Sequence, residues 1–284
     1  MIIERIRPEL VGGKSTLPAC LRAESDRRGL SVTERETLLA TVPAPLLACE
    51  CFYDKLTGLW RYEFGEPHRV RDELVWGTHM WSPVPALLDV IACAGRRLPP
   101  QKLAAYLVLL GNPGKHQEYL AEMFPMFRVD AAIPAEHEVG SMGAGNRTID
   151  WLVGPADGRR VLFDVKRRFV DFIAMMDVLS VAEAAAPGHD VALLFRSVEA
   201  KFRPSNPDQL LQGAWIVTDI KQDEVELGDA FAALDAGKVH FAILGDAEAN
   251  VHLITRRPED RGFLLRLFRA TPSSRFVFDR ARSR

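Results

Sequence analysis

Two short apolar segments that each carry a single aspartate constrain the fold of this chain most strongly. They are residues 149–153 (IDWLV) and 160–167 (RVLFDVKR). Successive side chains of a β-strand point to opposite faces of the sheet, and the runs WLV and VLF are apolar on both faces. Strands of this kind occur where a sheet is covered on two sides. The sequence therefore predicts a sheet with helices on both faces and with Asp150 and Asp164 inside it.

The order of elements around these strands predicts a mixed sheet. Three strands in close succession favour antiparallel neighbours, whereas a strand reached through a helix favours a right-handed parallel crossover. The strands are expected near 136–140, 147–153, 160–167, 191–195, 213–220, 240–245 and 250–255. The helices that alternate with them are expected at 112–124, 171–186, 223–237 and 261–268.

The first hundred residues read as a separate mixed α/β region. Apolar segments on both sides of residues 54–57 predict a hairpin, and the RRLPP segment at 96–100 marks the expected boundary. We therefore expect an N-terminal region of unassigned role at 1–98. A second domain is expected at 99–284, with its core at about 112–196.

Composition excludes several classes of protein. The chain is 48% hydrophobic and 26% charged, close to the globular average. No apolar run reaches the roughly 18 residues of a membrane-spanning helix, and the N-terminus, with Glu4, does not resemble a secretory signal. We therefore expect a cytoplasmic protein without a membrane segment.

The four cysteines predict reduced, buried thiols, since they are too few for the disulfide framework of a small secreted domain. A metal site formed by Cys49 and Cys51 with His68 or His79 stays an open alternative, although the C-x-C spacing matches no common zinc pattern.

Positive charge is concentrated at the C-terminal end. The chain as a whole has a net charge of −2, but residues 256–284 contain nine arginines and three acidic residues, an excess of +6. This region could contact phosphates, as basic segments do in nucleic-acid-binding proteins. It could equally be the solvated face of a helix followed by a tail.

Asp150, Asp164 and Lys166 are the residues that point to chemistry. Asp164 and Lys166 are two apart in a strand and so share one face. A buried, unpaired carboxylate is unfavourable by several kcal/mol, and a shared Mg²⁺ ion, which prefers oxygen ligands and retains waters, would offset this. Such an ion acidifies bound water and polarises phosphoryl oxygens. Lys166 could then orient or deprotonate the attacking water, and a lowered pKa would favour the second role.

The pattern D-x13-D-x-K across two strands, preceded by a glutamate on a helix, resembles the PD-(D/E)xK nuclease superfamily of restriction endonuclease-like proteins. The resemblance implies an α/β fold with a mixed β-sheet flanked by helices, in addition to the N-terminal α/β region. It departs from the family pattern at Ile149, where proline is usual, and in having Asp164 where glutamate is more frequent.

The resemblance also implies the site and its ligands. Asp150, Asp164 and the carbonyl of Val165 would bind Mg²⁺ or Mn²⁺, and Lys166 would be catalytic. The helix glutamate, a further metal ligand and catalytic residue, corresponds best to Glu118, with Glu122 as the fallback. The implied activity is an endonuclease-type hydrolysis of phosphodiester bonds in nucleic acid, with DNA favoured, and a homodimer is left open.

Two other interpretations stay open at this stage. The domain could keep the nuclease fold without catalysis and serve as a binding or interaction module. Alternatively, the chain could be an ordinary mixed-sheet protein in which the three residues form only salt bridges at strand ends. His137 and Glu138 could add to the site, or they could be exposed charges at the edge of a strand.

Overall fold

The computed structural model describes residues 8–66, 68–70, 73–75, 81–168, 191–218, 224–245 and 251–268. It contains two compact units. The described residues of the first unit end at Met123, and those of the second unit begin at Phe124. The domain limits predicted from sequence, 1–98 and 99–284, were instead placed at the RRLPP segment. In the structure the prolines of that segment begin a helix that belongs to the first unit.

The first unit is built from two antiparallel sheets and six helices within its described residues. A four-stranded sheet has the order β1-β2-β3-β6, and β4 and β5 form a separate pair. The strands are β1 (Val11–Thr16), β2 (Glu50–Asp54), β3 (Leu59–Glu63), β4 (His68–Val70), β5 (Glu73–Val75) and β6 (Trp81–Pro83). The helices are α1 (Leu17–Arg27), α2 (Val32–Ala40), α3 (Ala44–Leu47), α4 (Val84–Arg97), α5 (Pro100–Leu110) and α6 (His116–Met123).

The turn between β2 and β3 confirms the predicted hairpin. The Asp54 carboxylate accepts hydrogen bonds from the Leu56 amide at 2.9 Å and the Thr57 hydroxyl at 2.6 Å. Gly58 has a φ of 67°, a conformation that glycine adopts without steric cost. The turn chemistry is therefore local, which is why it can be predicted from sequence.

The second unit is built around a six-stranded mixed sheet of order β12-β11-β10-β9-β8-β7. Its first three strands are antiparallel neighbours, β9, β10 and β11 are parallel, and β12 is antiparallel. The strands are β7 (Ala135–Val139), β8 (Ile149–Val153), β9 (Arg160–Arg168), β10 (Leu210–Thr218), β11 (Phe241–Gly245) and β12 (Val251–Thr255). Its described helices are α7 (Val191–Glu199), α8 (Glu224–Ala232) and α9 (Pro258–Leu267).

Helices cover both faces of this sheet, as the apolar strands predicted. One face packs Leu162, Ala214 and Ile216 against Phe195 and Phe231 from the α7 and α8 side. On the other face, Phe268 at the end of α9 contacts Phe163 and Trp215, with ring centroids 5.7 and 5.0 Å apart. The prediction of a mixed α/β protein is confirmed at this level.

One predicted strand is wrong. Residues 191–195 form the start of α7 rather than a strand, and β10, predicted near 213–220, is the parallel neighbour of β9. A short apolar run does not distinguish a strand from a buried helix. The buried side chains of Phe195, Val198 and Phe202 recur at helical spacing. The helix predicted at 171–186 lies outside the described residues.

No helix in the described ranges is long and apolar enough to cross a membrane.

The close approach of β10 and β11 at Gly213 gives a test of this packing. A Cβ atom at Gly213 would lie 2.4 Å from the Phe241 carbonyl oxygen, so Gly213→Ala should lower the free energy of unfolding by about 1–3 kcal/mol. Gly228→Ala is the matched control, because no heavy atom lies within 4 Å of its Cβ position and alanine favours helices by about 0.5–1 kcal/mol. Urea unfolding followed by circular dichroism measures both. Equal midpoints for the two variants would contradict the packing.

Candidate functional site

Strands β8 and β9 bring the two aspartates together. The antiparallel ladder pairs Trp151 with Phe163, Leu152 with Leu162 and Val153 with Val161. Asp150 directly precedes the β8 residues of this ladder, and Asp164 directly follows those of β9. The Val165 amide donates to the Asp150 carboxylate at 2.6 Å, and Asp164 pairs with Ala214 of β10, which belongs to the core under α7 and α8. Asp150 therefore lies next to the segment that carries Asp164, and the shared face of the two acids stays a prediction.

Asp164 is fully buried and is contacted by two ammonium groups. Lys201 Nζ donates to Oδ1 at 2.5 Å, and Lys166 Nζ lies 2.8 Å from Oδ2. Both oxygens of this carboxylate are therefore in contact with an ammonium group, and the charge of Asp164 is compensated from two sides.

Asp150 is half-buried and is oriented by the neighbouring strand. Its Oδ2 accepts a hydrogen bond from the main-chain amide of Val165 at 2.6 Å. The bond fixes the Asp150 carboxylate beside the main chain that links Asp164 to Lys166. The carbonyl of Val165, predicted as a metal ligand, stays a prediction.

The two neighbouring acids dominate the electrostatics of Lys166. Burial lowers the pKa of Lys166, but the carboxylates of Asp164 and Asp150 outweigh this, and the net direction is upward. A lowered pKa was considered only for a lysine surrounded by cations, and it stays a prediction for the metal-bound site. Lys166 is therefore a stable ammonium ion in this arrangement, and its contribution to stability is lost only as the pH rises through its raised pKa.

Lys201 is the site residue that the sequence analysis missed. It follows the last turn of α7, and the buried Phe202 anchors the chain next to it. The loop before β8 holds this segment, since the Ala144 amide donates to the Lys201 carbonyl at 2.7 Å. Arg147 donates to the carbonyl of Ala200 at 3.0 Å.

This loop is tightly closed, because a Cβ atom on Gly143 would lie 1.7 Å from the Arg147 carbonyl oxygen. The helical spacing of Phe195, Val198 and Phe202 was the signal that could have placed Lys201 at the end of a helix facing the sheet.

The predicted helix glutamates belong to the first unit. Glu118 lies on α6, where its exposed carboxylate accepts from Lys115 at 2.9 Å, and Glu122 on the same helix is buried. The roles of Glu118 and Glu122 as metal ligands stay predictions. His116, at the start of the same helix, is a packing residue. Its ring forms hydrogen bonds with the Tyr62 hydroxyl and the Leu110 carbonyl.

His137 and Glu138 do not join the two aspartates. His137 is buried rather than exposed and lies against Trp151, with ring centroids 4.7 Å apart. Because Trp151 follows Asp150 in the strand, it points to the opposite face. Glu138 is exposed, with an unusual φ of 52°.

Within the described ranges, no group of three or more His, Cys, Asp or Glu side chains is arranged to hold a metal ion. A divalent ion at Asp150 and Asp164 would need a main-chain oxygen and waters to complete its shell. The four cysteines are free and buried, as predicted. The His68 side chain and His79 lie outside the described residues.

Among the described arginines of the basic C-terminal region, Arg256, Arg257 and Arg261 have structural partners. Arg256 donates to the carbonyls of Phe231 and Leu234, both at 2.8 Å. Arg257 forms ion pairs with Asp208 and the fully buried Asp260, and Arg261 donates to a main-chain carbonyl. These three guanidinium groups stabilise the second unit, and residues 269–284 lie outside the described part of the chain.

Comparisons with family models and with curated proteins give no match for this chain. The resemblance to the PD-(D/E)xK superfamily therefore rests on the residues and their geometry alone.

Removal of the charge on Asp164 should destabilise the protein when no divalent ion is present. Asp164→Asn keeps the shape but leaves two ammonium groups without their common counter-charge, so we expect a loss of about 3 kcal/mol in the free energy of unfolding. Asp208→Asn is the control, because Asp208 is 71% exposed in its pair with Arg257 and such pairs contribute about 0–1 kcal/mol. Chemical denaturation at pH 7 with EDTA checks this. A loss no larger than that of the control would show that the carboxylate is not needed.

Proposed function

We propose that the second unit carries a divalent-metal phosphodiesterase site and that the protein is a nuclease, with DNA as the favoured substrate. The observation that carries the proposal is the position of Asp150 beside β9, where its carboxylate accepts from the Val165 amide at 2.6 Å, together with the 2.8 Å ion pair between Asp164 and Lys166 on β9. Two acids from adjacent strands supply the hard oxygen donors that Mg²⁺ and Mn²⁺ prefer.

The residues present fit a divalent ion. Asp164 is a fully buried carboxylate, and its oxygens are hard donors of the kind that divalent ions prefer. Asp150 is held in place by the amide of Val165, so both carboxylates are oriented before any ion binds. The ion would supply Lewis acidity toward a phosphoryl oxygen and an acidified bound water.

The protein's own groups would then act on the phosphate. Lys166, held as an ammonium ion beside Asp164, suits the stabilisation of negative charge that develops on the phosphoryl oxygens. The exposed side chain of Arg147 is held against the Lys201 segment by its bond to the Ala200 carbonyl at 3.0 Å, and we assign its remaining guanidinium donors to a flanking phosphate.

The topology supports the same family. The order of three antiparallel strands followed by a parallel strand, β7-β8-β9-β10, with α7 between β9 and β10, is the order that the resemblance to restriction endonuclease-like proteins implies. The acids lie on β8 and β9, as that family pattern requires. A homodimer and the contribution of Glu118 remain parts of this proposal that rest on the resemblance alone.

A second candidate function is favoured by one observation. Lys166 and Lys201 both contact Asp164, and their two positive charges balance those of Asp164 and Asp150 without a metal. This is the arrangement that a catalytically inactive nuclease-fold binding module would have.

Nuclease assays with active-site variants test the proposal. Wild-type protein should cleave plasmid or single-stranded DNA in the presence of Mn²⁺ and lose this activity in EDTA. Lys166→Ala and Asp150→Asn should each lower the rate by at least about 10²-fold, because they remove charge stabilisation or a metal ligand. Lys238→Ala is the control, since Lys238 forms a distant surface pair with Asp235 at 3.8 Å.

Cleavage that persists in Lys166→Ala would reject the mechanism. A wild-type protein that binds DNA but neither cleaves it nor binds Mn²⁺ would favour the binding module.

A further inference from the structure

We infer that Lys201 is a built-in counter-cation of the Asp150–Asp164 site, which a divalent ion must displace from Asp164 in order to bind. The inference rests on the proposed function and adds a residue that the D-x13-D-x-K pattern does not contain.

Two ammonium groups already occupy the oxygens of Asp164. Lys201 Nζ lies 2.5 Å from Asp164 Oδ1 and Lys166 Nζ lies 2.8 Å from Oδ2. Both oxygens of the fully buried carboxylate are therefore in contact with an ammonium group. A metal ion that binds Asp164 must approach one of these same oxygens at about 2.0–2.1 Å for Mg²⁺, which leaves no room for both ammonium groups at their present distances.

These ammonium groups also balance the charge of the site. Two carboxylates and two ammonium groups sum to zero, so a dication added to the intact site would create a local charge of +2 next to buried atoms. Like charges at such short range repel strongly where water is limited. Departure of one ammonium group lowers the repulsion, and metal binding then becomes an exchange of cations rather than a simple addition.

Lys201 is the ammonium group that we expect to leave, because the proposed function requires Lys166 at the phosphate. The two side chains are similarly exposed, 27% for Lys166 and 22% for Lys201. Lys166 lies toward the carboxyl end of the paired strand β9, whereas Lys201 follows the end of α7. Its main chain is fixed by the Ala144 amide and by the buried Phe202. A lysine side chain can therefore swing into solvent while its main chain stays in place. The fixed main chain also argues against an accidental surface contact.

Metal binding by a Lys201 variant tests the inference. Lys201→Met removes the competing charge and keeps most of the apolar stem. We expect it to bind Mn²⁺ at least about tenfold more tightly than the wild type, measured by isothermal calorimetry with MnCl₂. Without metal its melting temperature should be lower than that of the wild type, and Mn²⁺ should raise it by a larger amount. Lys238→Met is the matched control and should leave the Mn²⁺ affinity unchanged.

The outcomes separate this inference from the proposed function. Equal or weaker Mn²⁺ binding by Lys201→Met, with measurable binding by the wild type, overturns the inference alone. Absence of binding in both proteins overturns the inference and the proposed metal site together. Adding Asp150→Asn to Lys201→Met should abolish the tight binding, and binding that survives this change places the ion elsewhere and overturns the inference. If Lys201→Met does not fold, Lys201→Gln, which keeps a hydrogen-bond donor toward Asp164, carries the same expectation.

Discussion

The buried carboxylate of Asp164 holds several elements of the second unit together. An ionised group with no exposed surface is costly to bury, and here it is compensated by ammonium groups from two directions, Lys166 along the same strand and Lys201 from beyond α7. The second contact ties the end of that helix to the sheet. The loop that bonds to Lys201 and Ala200 leads directly into β8 and Asp150. One charge therefore connects a strand, a helix end and a loop.

The place of Asp164 in the sheet explains why a reactive group can be held there. Strand β9 is the position at which the sheet changes from antiparallel to parallel pairing, with β8 on one side and β10 on the other. Lys166 lies toward the carboxyl end of β9, the edge at which open α/β sheets commonly bind ligands. The apolar pairing of Trp151 with Phe163 and of Val153 with Val161 continues below the two acids. The paired strands thus hold the polar residues in fixed positions.

The sequence could predict what depends on alternation and turn chemistry. The shared face of Asp164 and Lys166, the hairpin at Asp54 and the central strand β10 follow from neighbouring residues alone. Lys201 could not be found in this way, because its partner lies 37 residues away and the intervening run at 191–195 was assigned to a strand. The direction of the Lys166 pKa shift also required the structure, since it depends on how many acids face the amine. The prediction of a domain boundary at the two prolines near residue 100 has the same limit. Proline is common in the first turn of a helix as well as between domains, so neighbouring residues alone do not separate the two cases.

The balance of charge at the site argues that Asp150 and Asp164 act as one dianionic unit. Both oxygens of Asp164 are in contact with ammonium groups, and the charge of Asp150 also raises the pKa of Lys166. A monovalent ion that replaced Lys201 would gain little, because it would restore only the charge that had left. A divalent ion brings one more positive charge than the ammonium group it replaces and can share it between both carboxylates. At the proposed metal site, the exchange of Lys201 for a cation would therefore favour divalent over monovalent ions.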